Sequence, residues 1–168
     1  MTMKSQHTIY FSKSQEMSQI KDNSVDLVIT SPPYPMIEMW DEIMSSQNPS
    51  IKKAFNESLP ELAFELMHKE LDAVWKECYR VVKDGGFICI NIGDATRTID
   101  GEFKLYNNHS RIIQYCTSLG LTNLPNIIWR KQTNAPNKFM GSGMLPCGAY
   151  ITLEHEYILI FRKGSKRN

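Results

Sequence analysis

Apolar residues recur along this chain at two different spacings, and these spacings predict an alternation of strands and helices. Unbroken apolar runs are typical of buried strands. We expect such strands at residues 25–30, 87–92 and 124–129, within 151–161, and over a shorter stretch at 8–11. Apolar residues three to four positions apart predict helices over residues 59–83 and 108–119. A short helix is expected over residues 14–20, with Ser14 as its cap.

Small residues and prolines predict where the two longer helices begin and end. Ser58 and Glu61 form a Ser-x-x-Glu capping box around Pro60, which suits the first turn of a helix. Gly85-Gly86 is expected to stop this helix, because glycine readily adopts the conformation that follows a helix end. Gly120 is expected to end the later helix for the same reason.

The stretch of residues 35–58 has no single clear pattern. Asn48-Pro49-Ser50 is expected to break any helix there. We expect the stretch to lie over a binding site as a lid or as one wall for a substrate. The alternative is a packed surface helix with Met39 and Trp40 in a core.

The predicted order is strand, helix, strand, helix, strand, loop, strand, which is typical of an α/β fold with both sheet faces covered. The last two strands are joined by a loop at residues 132–150, so we expect them to pair antiparallel at the sheet edge. In open α/β sheets, ligands bind beyond the carboxyl ends of parallel strands. Ser31–Tyr34 and Gly93-Asp94 both follow such strands, and we expect the functional site there.

The composition is that of an ordinary globular domain. The chain has 168 residues, of which 42% are hydrophobic and 22% charged, and this length fits one domain. No apolar run approaches a membrane span and the N-terminus lacks the apolar core of a signal peptide, so we expect a cytoplasmic protein. The 4 cysteines are far apart without metal-binding spacing, and Cys78 and Cys89 are expected to be small core residues.

Charge is unevenly distributed, although the formal net charge is only +1. Residues 1–123 hold 12 Lys and Arg against 16 Asp and Glu, whereas residues 124–168 hold 7 against 2. The basic C-terminal part could meet phosphate groups. The alternative is a solubilising tail made by four residues, Arg162, Lys163, Lys166 and Arg167.

The strand at residues 25–30 runs directly into Ser31-Pro32-Pro33-Tyr34, the most informative motif of the chain. This strand and loop resemble the catalytic loop of amino-methylating DNA methyltransferases. Within that group, Ser in the first position is similar to the enzymes that methylate the exocyclic N4 of cytosine, whereas the adenine-N6 enzymes more often carry Asp or Asn. The alternative is a rigid turn after a strand, since prolines commonly mark turns.

The resemblance implies a catalytic role for each residue of this loop. An exocyclic amine conjugated to its ring is a poor nucleophile, so Ser31 and the Pro32 carbonyl would accept hydrogen bonds from it. Pro32 and Pro33 would stiffen the loop and preorganise these acceptors. Tyr34 offers an aromatic face on which a base flipped out of the duplex would stack. Neither a covalent enzyme nucleophile nor a metal ion is expected.

The resemblance also implies binding contacts around the loop. Thr30 and Ser31 are expected to contact the cofactor S-adenosylmethionine. Trp40 and Asp94, together with the ring of Tyr34, are expected to bind the target base of double-stranded DNA. Alternatives stay open, because Trp40 and Trp129 also fit core positions and Asp94 also fits a cap at a strand end.

Further segments extend the resemblance over most of residues 24–163. Residues 71–91, 127–131 and 154–163 are similar to the helix and strands that follow the catalytic loop in these methyltransferases, which implies a Rossmann-like methyltransferase fold. The chain would then be a single catalytic subdomain of residues 1–168. The loop at 132–150 would take part in target recognition.

The cofactor half of that fold is not found in this sequence. The family's cofactor loop is a strand followed by Asp-Pro-Phe-x-Gly-x-Gly and a helix. Phe139–Gly143 matches Phe-x-Gly-x-Gly in its letters, but no strand precedes it and Leu145-Pro146 blocks a following helix. We therefore expect a partial fold, the catalytic half of the sheet with an antiparallel edge. A second chain carrying the cofactor-binding half is one expected partner, since a half-sheet leaves an apolar edge uncovered. The alternative is that the chain is a truncated or excised piece of a longer enzyme.

The sequence thus predicts a site-specific DNA methyltransferase that transfers a methyl group from S-adenosylmethionine to N4 of cytosine by base flipping, within a restriction-modification system. Two alternatives stay open. One is an adenine-N6 methyltransferase, and the other is an inactive or partner-dependent DNA-binding remnant of a split enzyme. Because the net charge is modest, we do not expect the chain alone to bind DNA strongly and nonspecifically.

Overall fold

The computed structural model describes residues 4–131 and 153–166, which form an α/β arrangement. The strands in these ranges are β1 (Val25–Thr30), β2 (Val82–Ile92), β3 (Ala95–Ile99), β4 (Glu102–Tyr106), β5 (Leu121–Arg130) and β6 (His155–Lys163). The helices are a 3₁₀ turn (Glu38–Trp40), α1 (Asp41–Gln47), α2 (Pro49–Asn56), α3 (Pro60–Val81) and α4 (Asn108–Ser118). The fold class predicted from the sequence is confirmed.

Four strands form one mixed sheet in the order β1-β2-β6-β5. β1 and β2 run parallel, with Thr30 opposite Ile90, whereas β6 is antiparallel to both β2 and β5. The predicted antiparallel pairing of the last two strands is therefore confirmed. Because β1 and β2 are parallel, their carboxyl ends lie at the same end of the sheet, and the loops that follow them meet there.

One face of the sheet contributes to the hydrophobic core. Ile88, Ile90 and Ile92 alternate along β2 as fully buried side chains, because every second residue of a strand faces the same way. The same core contains Trp75 of α3 and Ile112 of α4. The two helices thus bury their apolar stripes against this face.

The opposite face of the sheet carries large apolar side chains that stay exposed in the described part of the chain. Leu27 of β1 pairs with Phe87 of β2, and both are exposed. Ile127 and Trp129 of β5 are exposed as well. The cover predicted for this second face is not present among the described residues, so we call it the open face.

The first residues of the chain form neither of the two elements predicted for them. Residues 8–11 are not a strand, and residues 14–20 contain turns in place of a helix. Ile9 is 76% and Phe11 98% exposed, so the apolar run at 8–11 finds no partner among the described residues. A strand needs a neighbouring strand for its backbone hydrogen bonds, which explains why the apolar run at 8–11 does not form a strand on its own.

The ends of α3 differ from the predicted ones, although the helix itself is confirmed. Leu59 is the N-cap residue and no side chain caps the helix, while Ser58 has φ of 54°, so the predicted capping box is wrong. The helix ends at Val81, before Gly85-Gly86, which lie inside β2. A Cβ at Gly86 would lie 2.9 Å from the Asp26 carbonyl oxygen, so glycine there allows β1 to approach.

The hairpin of β3 and β4 was not predicted. Its turn is Asp100-Gly101, with φ of 52° and 82°. An Asp-Gly pair between alternating residues is a known hairpin signal, and it could have been used. The Arg97 guanidinium of β3 forms two hydrogen bonds, of 2.9 and 2.6 Å, with the Asp41 carboxylate and joins the hairpin to α1.

The longest helix, α3, has 22 residues and buries only one side. None of the helices in residues 4–131 and 153–166 is both long and apolar enough to cross a membrane.

Candidate active site

The predicted catalytic loop lies at the carboxyl end of β1. Ser31–Tyr34 follow directly on Thr30, the last residue of β1, and the Tyr34 carbonyl accepts a hydrogen bond from the Ile37 amide at 3.2 Å. Asn91 lies near the end of the adjacent strand β2, and Gly93-Asp94 follow it. The structure therefore brings the two predicted loops together, as the parallel strands require.

Tyr34 is held at both ends of its side chain. Its ring lies against Gly93, where an added Cβ would be 3.1 Å from ring atom Cε2. Its hydroxyl donates a hydrogen bond to Glu156 Oε2 at 3.1 Å and accepts one from Asn91 Nδ2 at 2.8 Å. Burial is the main cause that raises the pKa of Tyr34 above its ordinary value, and the Glu156 carboxylate adds to this. Ser31 Oγ lies 3.4 Å from the same hydroxyl.

Glu156 is the charged centre of this cluster. Its carboxylate accepts a second hydrogen bond from Asn91 Nδ2 at 2.7 Å and pairs with Lys131 Nζ at 2.9 Å. Burial opposes ionisation of Glu156, but the hydrogen bonds from Asn91, Lys131 and Tyr34 outweigh it and hold its pKa below the ordinary value. The carboxyl group is therefore ionised at neutral pH and directly faces Tyr34.

The Asp94 carboxylate is hydrogen-bonded to a residue of the protein. Its buried carboxylate accepts hydrogen bonds from the His109 backbone amide at 3.0 Å and from His109 Nδ1 at 2.7 Å. The His109 ring in turn stacks on Tyr157, with ring centroids 4.0 Å apart. Asp94 thus binds the second residue of α4, and its expected contact with the target base stays a prediction.

A buried polar tie connects the catalytic loop to two helices and was not predicted from the sequence. Asn108 Nδ2 donates to the carbonyl oxygens of Pro35 and Gly93, both at 3.0 Å. Asn108 Oδ1 lies 3.0 Å from His68 Nε2 of α3, and both side chains are fully buried. Burial lowers the pKa of His68 to about 3, so its imidazole is neutral and donates from Nε2. We call this arrangement the Asn108 tie.

The tryptophans differ in their positions. Trp40 ends the 3₁₀ turn and is half-buried, and its proposed contact with a base stays a prediction. Trp129 is exposed on the open face, with Lys131 Nζ 4.2 Å from its ring centroid, so the core position considered for Trp129 is wrong. Met39 is exposed too, which contradicts its alternative placement in a core.

A cavity of about 330 Å³ borders the catalytic loop. It is lined by Thr30, Ser31 and Pro33 on the loop and by Glu70 and Trp75 of α3, among others. Larger cavities, of about 520 and 570 Å³, lie around α1 and around the start of α4, and neither is lined by a residue of the motif. The smaller cavity is the better candidate for a cofactor, because the motif itself forms its wall.

The predicted basic tail is partly a structural feature. Lys163, at the end of β6, is buried, and its Nζ donates to Asn23 Oδ1 at 2.8 Å and to the carbonyl oxygens of Tyr79 and Val82 at 2.7 and 2.9 Å. Such a lysine holds β6 against the start of β2 and is not available to phosphate. Arg167 lies outside the described residues.

Two predicted features also lie outside the described residues, the loop at 132–150 and Phe139–Gly143 within it. Within the described ranges, no group of three or more His, Cys, Asp or Glu side chains could hold a metal ion. The described site is thus built from the Ser31–Tyr34 loop, the hydroxyl-binding pair Asn91 and Glu156, and the Asn108 tie.

Comparison with known proteins places this chain in a family. The model of the DNA methylase family, which covers N6 and N4 methyltransferases, matches residues 25–168. The chain therefore belongs to the DNA methylase family. Type II methyltransferase M.MthZI of Methanothermobacter thermautotrophicus is 54% identical over 166 residues, which are 98% of this chain and 47% of M.MthZI. Type II methyltransferase M.MjaI of Methanocaldococcus jannaschii is 51% identical over 172 residues, which cover 96% of this chain and 57% of M.MjaI.

Solved structures agree with this placement. TTHA0409 of Thermus thermophilus, solved in complex with S-adenosyl-L-methionine, superposes with a TM-score of 0.65 at 31% identity, over 93% of this chain and 55% of TTHA0409. The cytosine-N4-specific PvuII DNA methyltransferase superposes with a TM-score of 0.56 at 16% identity, over 94% of this chain and 49% of that enzyme, which shows a shared fold. The chain spans about half the length of the curated relatives it matches.

Proposed function

We propose that this chain forms the catalytic half of a site-specific DNA methyltransferase that transfers a methyl group from S-adenosylmethionine to N4 of cytosine in double-stranded DNA. The observation that carries the proposal is the Ser31–Tyr34 loop at the carboxyl end of β1, with the Tyr34 hydroxyl bound by Asn91 and Glu156. Family membership supports DNA as the substrate. The Type II relatives support a place in a restriction-modification system.

The loop supplies acceptors for an amine that is a poor nucleophile. Ser31 Oγ and the Pro32 carbonyl accept its two hydrogens, which raises electron density on the nitrogen. Pro32 and Pro33 hold these acceptors still, because each ring fixes φ. The Tyr34 ring carries the face of a base that has been rotated out of the duplex. No residue of the loop would form a covalent bond to the base, since Ser31 and the Pro32 carbonyl would hold the amine by its two hydrogens, one of which leaves as a proton when the methyl group replaces it.

The cavity beside the loop fits one part of a cofactor site. Thr30 and Ser31 line it together with the carboxylate of Glu70 and the indole of Trp75, and this mixture of polar and aromatic groups suits a nucleoside that carries charged groups. S-adenosylmethionine, when bound, supplies an electrophilic methyl group on a sulfonium. Thr30 and Ser31 are the residues that we propose to contact it.

The remaining wall of the cofactor site is proposed to come from a second segment or chain. In the part of the chain that the structure describes, β1 is the outermost strand on its side of the sheet, and Ile29 on it is 76% exposed. A bare strand edge with apolar side chains readily takes up a further strand. The open face of the sheet likewise needs a cover. Both features support a partner that carries the cofactor-binding half.

Product analysis tests the proposed function. The enzyme that contains this chain is incubated with duplex DNA and S-adenosylmethionine labelled in its methyl group, and the DNA is digested to nucleosides. Labelled N4-methylcytosine supports the proposal. A Ser31→Ala variant, which lacks the side-chain acceptor, serves as the site-specific control.

Two other products of the same experiment correspond to the alternatives. Labelled N6-methyladenine would replace the proposal by an adenine-N6 methyltransferase, a reaction that the family also covers. DNA binding without any methylated nucleoside would favour a non-catalytic remnant. The coverage of only about half of M.MthZI is the observation that keeps this second alternative in view.

A further inference from the structure

We propose that Glu156, acting through Asn91 and Tyr34, fixes the direction of the hydrogen bond at Ser31, so that Ser31 can only accept a hydrogen bond from the incoming base. This inference rests on the proposed function and names the side chain that sets the direction of the hydrogen bond between Ser31 and Tyr34. Glu156 contacts the Tyr34 hydroxyl, and it is therefore a positioning residue in this scheme.

Glu156 is an obligate acceptor at its position. Asn91 Nδ2 and Lys131 Nζ lie 2.7 and 2.9 Å from its two oxygens, and both are donors that favour the ionised carboxylate. A carboxylate has no proton to give. The Tyr34 hydroxyl, 3.1 Å from Oε2, must therefore donate its single proton to Glu156.

Asn91 occupies a second site on the Tyr34 hydroxyl. Its Nδ2 lies 2.8 Å from the Tyr34 oxygen and 2.7 Å from Glu156 Oε2, so the two hydrogens of the amide serve both groups. The opposite orientation of the amide would bring Oδ1 against a carboxylate. With its proton given to Glu156 and one lone pair taken by Asn91, the Tyr34 oxygen keeps one free lone pair.

The hydrogen bond between the Tyr34 and Ser31 hydroxyls then has only one possible donor. Ser31 Oγ lies 3.4 Å from the Tyr34 oxygen, and only Ser31 has a proton left to donate. Its hydrogen points to Tyr34 and its lone pairs point away, toward an incoming group. An amino group satisfies these lone pairs, whereas a carbonyl oxygen at the same position would meet another acceptor. The network thus selects a base with an exocyclic amine over one with a carbonyl there.

Glu156→Gln removes this polarity with little change in size, because an amide offers a donor as well as an acceptor. In the active enzyme that contains this chain, we expect kcat to fall about 10- to 100-fold, the size expected for a hydrogen bond to a charged group. KM for DNA and for the cofactor should stay unchanged. Glu154→Gln is the matched control, since the ion pair of Glu154 among the described residues is a distant one with the exposed Arg130, at 3.8 Å, and wild-type activity is expected.

A double-mutant cycle with Tyr34→Phe separates this role from a merely structural one. Phenylalanine keeps the ring but removes the hydroxyl through which Glu156 acts. Glu156→Gln should therefore cost little further activity in the Tyr34→Phe background, whereas additive losses would overturn the inference. An active wild type with an equally active Glu156→Gln variant would overturn it while leaving the proposed function intact. A wild type that methylates no DNA would overturn both.

Discussion

Tyr34 shows how much of the site depends on residues far away along the chain. The Ser31–Tyr34 motif could be found from the sequence because it follows a strand directly. Asn91 and Glu156 could not, since only the pairing of β2 with β6, in which Asn91 lies opposite Ile158, brings them to the Tyr34 hydroxyl. No local pattern marks either residue, because an Asn or a Glu on a strand is usually a solvated position.

Ser31→Ala tests the acceptor that we propose for the amine of the target base. Removing one preorganised polar contact from a reacting group lowers turnover by about 100-fold or more. Ser31 is exposed, so we expect the thermal unfolding temperature to stay close to that of wild type. Methylation kinetics and a thermal melt measure the two effects. Ser118→Ala, which removes an exposed hydroxyl that donates to the Tyr115 carbonyl, is the control.

An unchanged methylation rate in Ser31→Ala would exclude this residue from the site. A large loss of thermal stability would instead assign it a structural role.

Gly93→Ala tests whether the Tyr34 ring depends on its close contact with Gly93. The new Cβ would lie 3.1 Å from the ring and 3.3 Å from Glu156 Cγ, so both side chains must shift. We expect a loss of about 1–3 kcal/mol in unfolding free energy, typical of overpacking, together with a loss of methylation. Urea unfolding and methylation kinetics check the two effects.

Gly101→Ala is the control for this substitution. Gly101 has φ of 82° and open space around it, so alanine strains the backbone of a hairpin turn without touching the site. Some stability should be lost while methylation is kept. Equal methylation rates in the Gly93→Ala and Gly101→Ala variants would contradict the role of Gly93 in positioning the Tyr34 ring.

At the scale of secondary-structure elements, the Asn108 tie explains how the Ser31–Tyr34 loop keeps its place. One amide at the start of α4 binds the carbonyl of Pro35 after the motif and that of Gly93 after β2, while His68 joins α3 to the same group. Four elements therefore share a single buried polar group. Each buried partner left unsatisfied would cost roughly 1–3 kcal/mol, so we expect the tie to be stiff.

His68 gives this tie a pH dependence. Its pKa in the folded chain is lowered to about 3, against roughly 6.5 in an unfolded chain. Between these two pKa values the unfolded chain binds a proton at His68 that the folded chain does not bind. The contribution of His68 to the unfolding free energy is therefore full above about pH 6.5 and is lost as the pH falls. The slope from this group approaches about 1.4 kcal/mol per pH unit.

Urea unfolding at a series of pH values between about 4 and 7, chosen to span this window, measures the effect. His68→Gln keeps a donor for Asn108 without the titration, so its unfolding free energy should depend less steeply on pH than that of wild type. Equal slopes in the two proteins would contradict the assignment.

Elements with strong periodicity could be predicted, and elements that need a partner could not. α3 and α4 each bury a regular set of apolar residues, and the sequence alone predicts them, as it predicts β1 from its unbroken apolar run. The apolar run at 8–11 has the same composition as a strand, but no neighbouring strand is described for it to pair with. A strand depends on hydrogen bonds across the sheet, whereas a helix satisfies its own backbone.

At the scale of the molecule, the described residues leave one sheet edge unpaired and one sheet face open. Leu27 and Ile29 are exposed on β1, and Ile127 and Trp129 are exposed on β5. We predict that the chain alone self-associates at micromolar concentration, because contiguous apolar surface of this kind is usually covered. Sedimentation velocity of the purified chain measures this.

Ile29→Lys places a charge on the edge strand and should reduce the self-association, since such charges block edge pairing. Leu62→Lys alters a similarly apolar, exposed position on α3, away from the sheet, and should not. A monomeric wild-type chain, or an equal effect of both substitutions, would contradict the prediction.

Calorimetric titration with S-adenosylmethionine tests most directly whether this chain is a catalytic half that needs a cofactor-binding partner. The chain is titrated alone and again after addition of the part of M.MthZI that it does not cover, which is about half of that relative. We predict no binding by the folded chain alone, and both cofactor binding and DNA methylation after the addition. Binding at micromolar affinity by the monomeric chain alone would contradict the account.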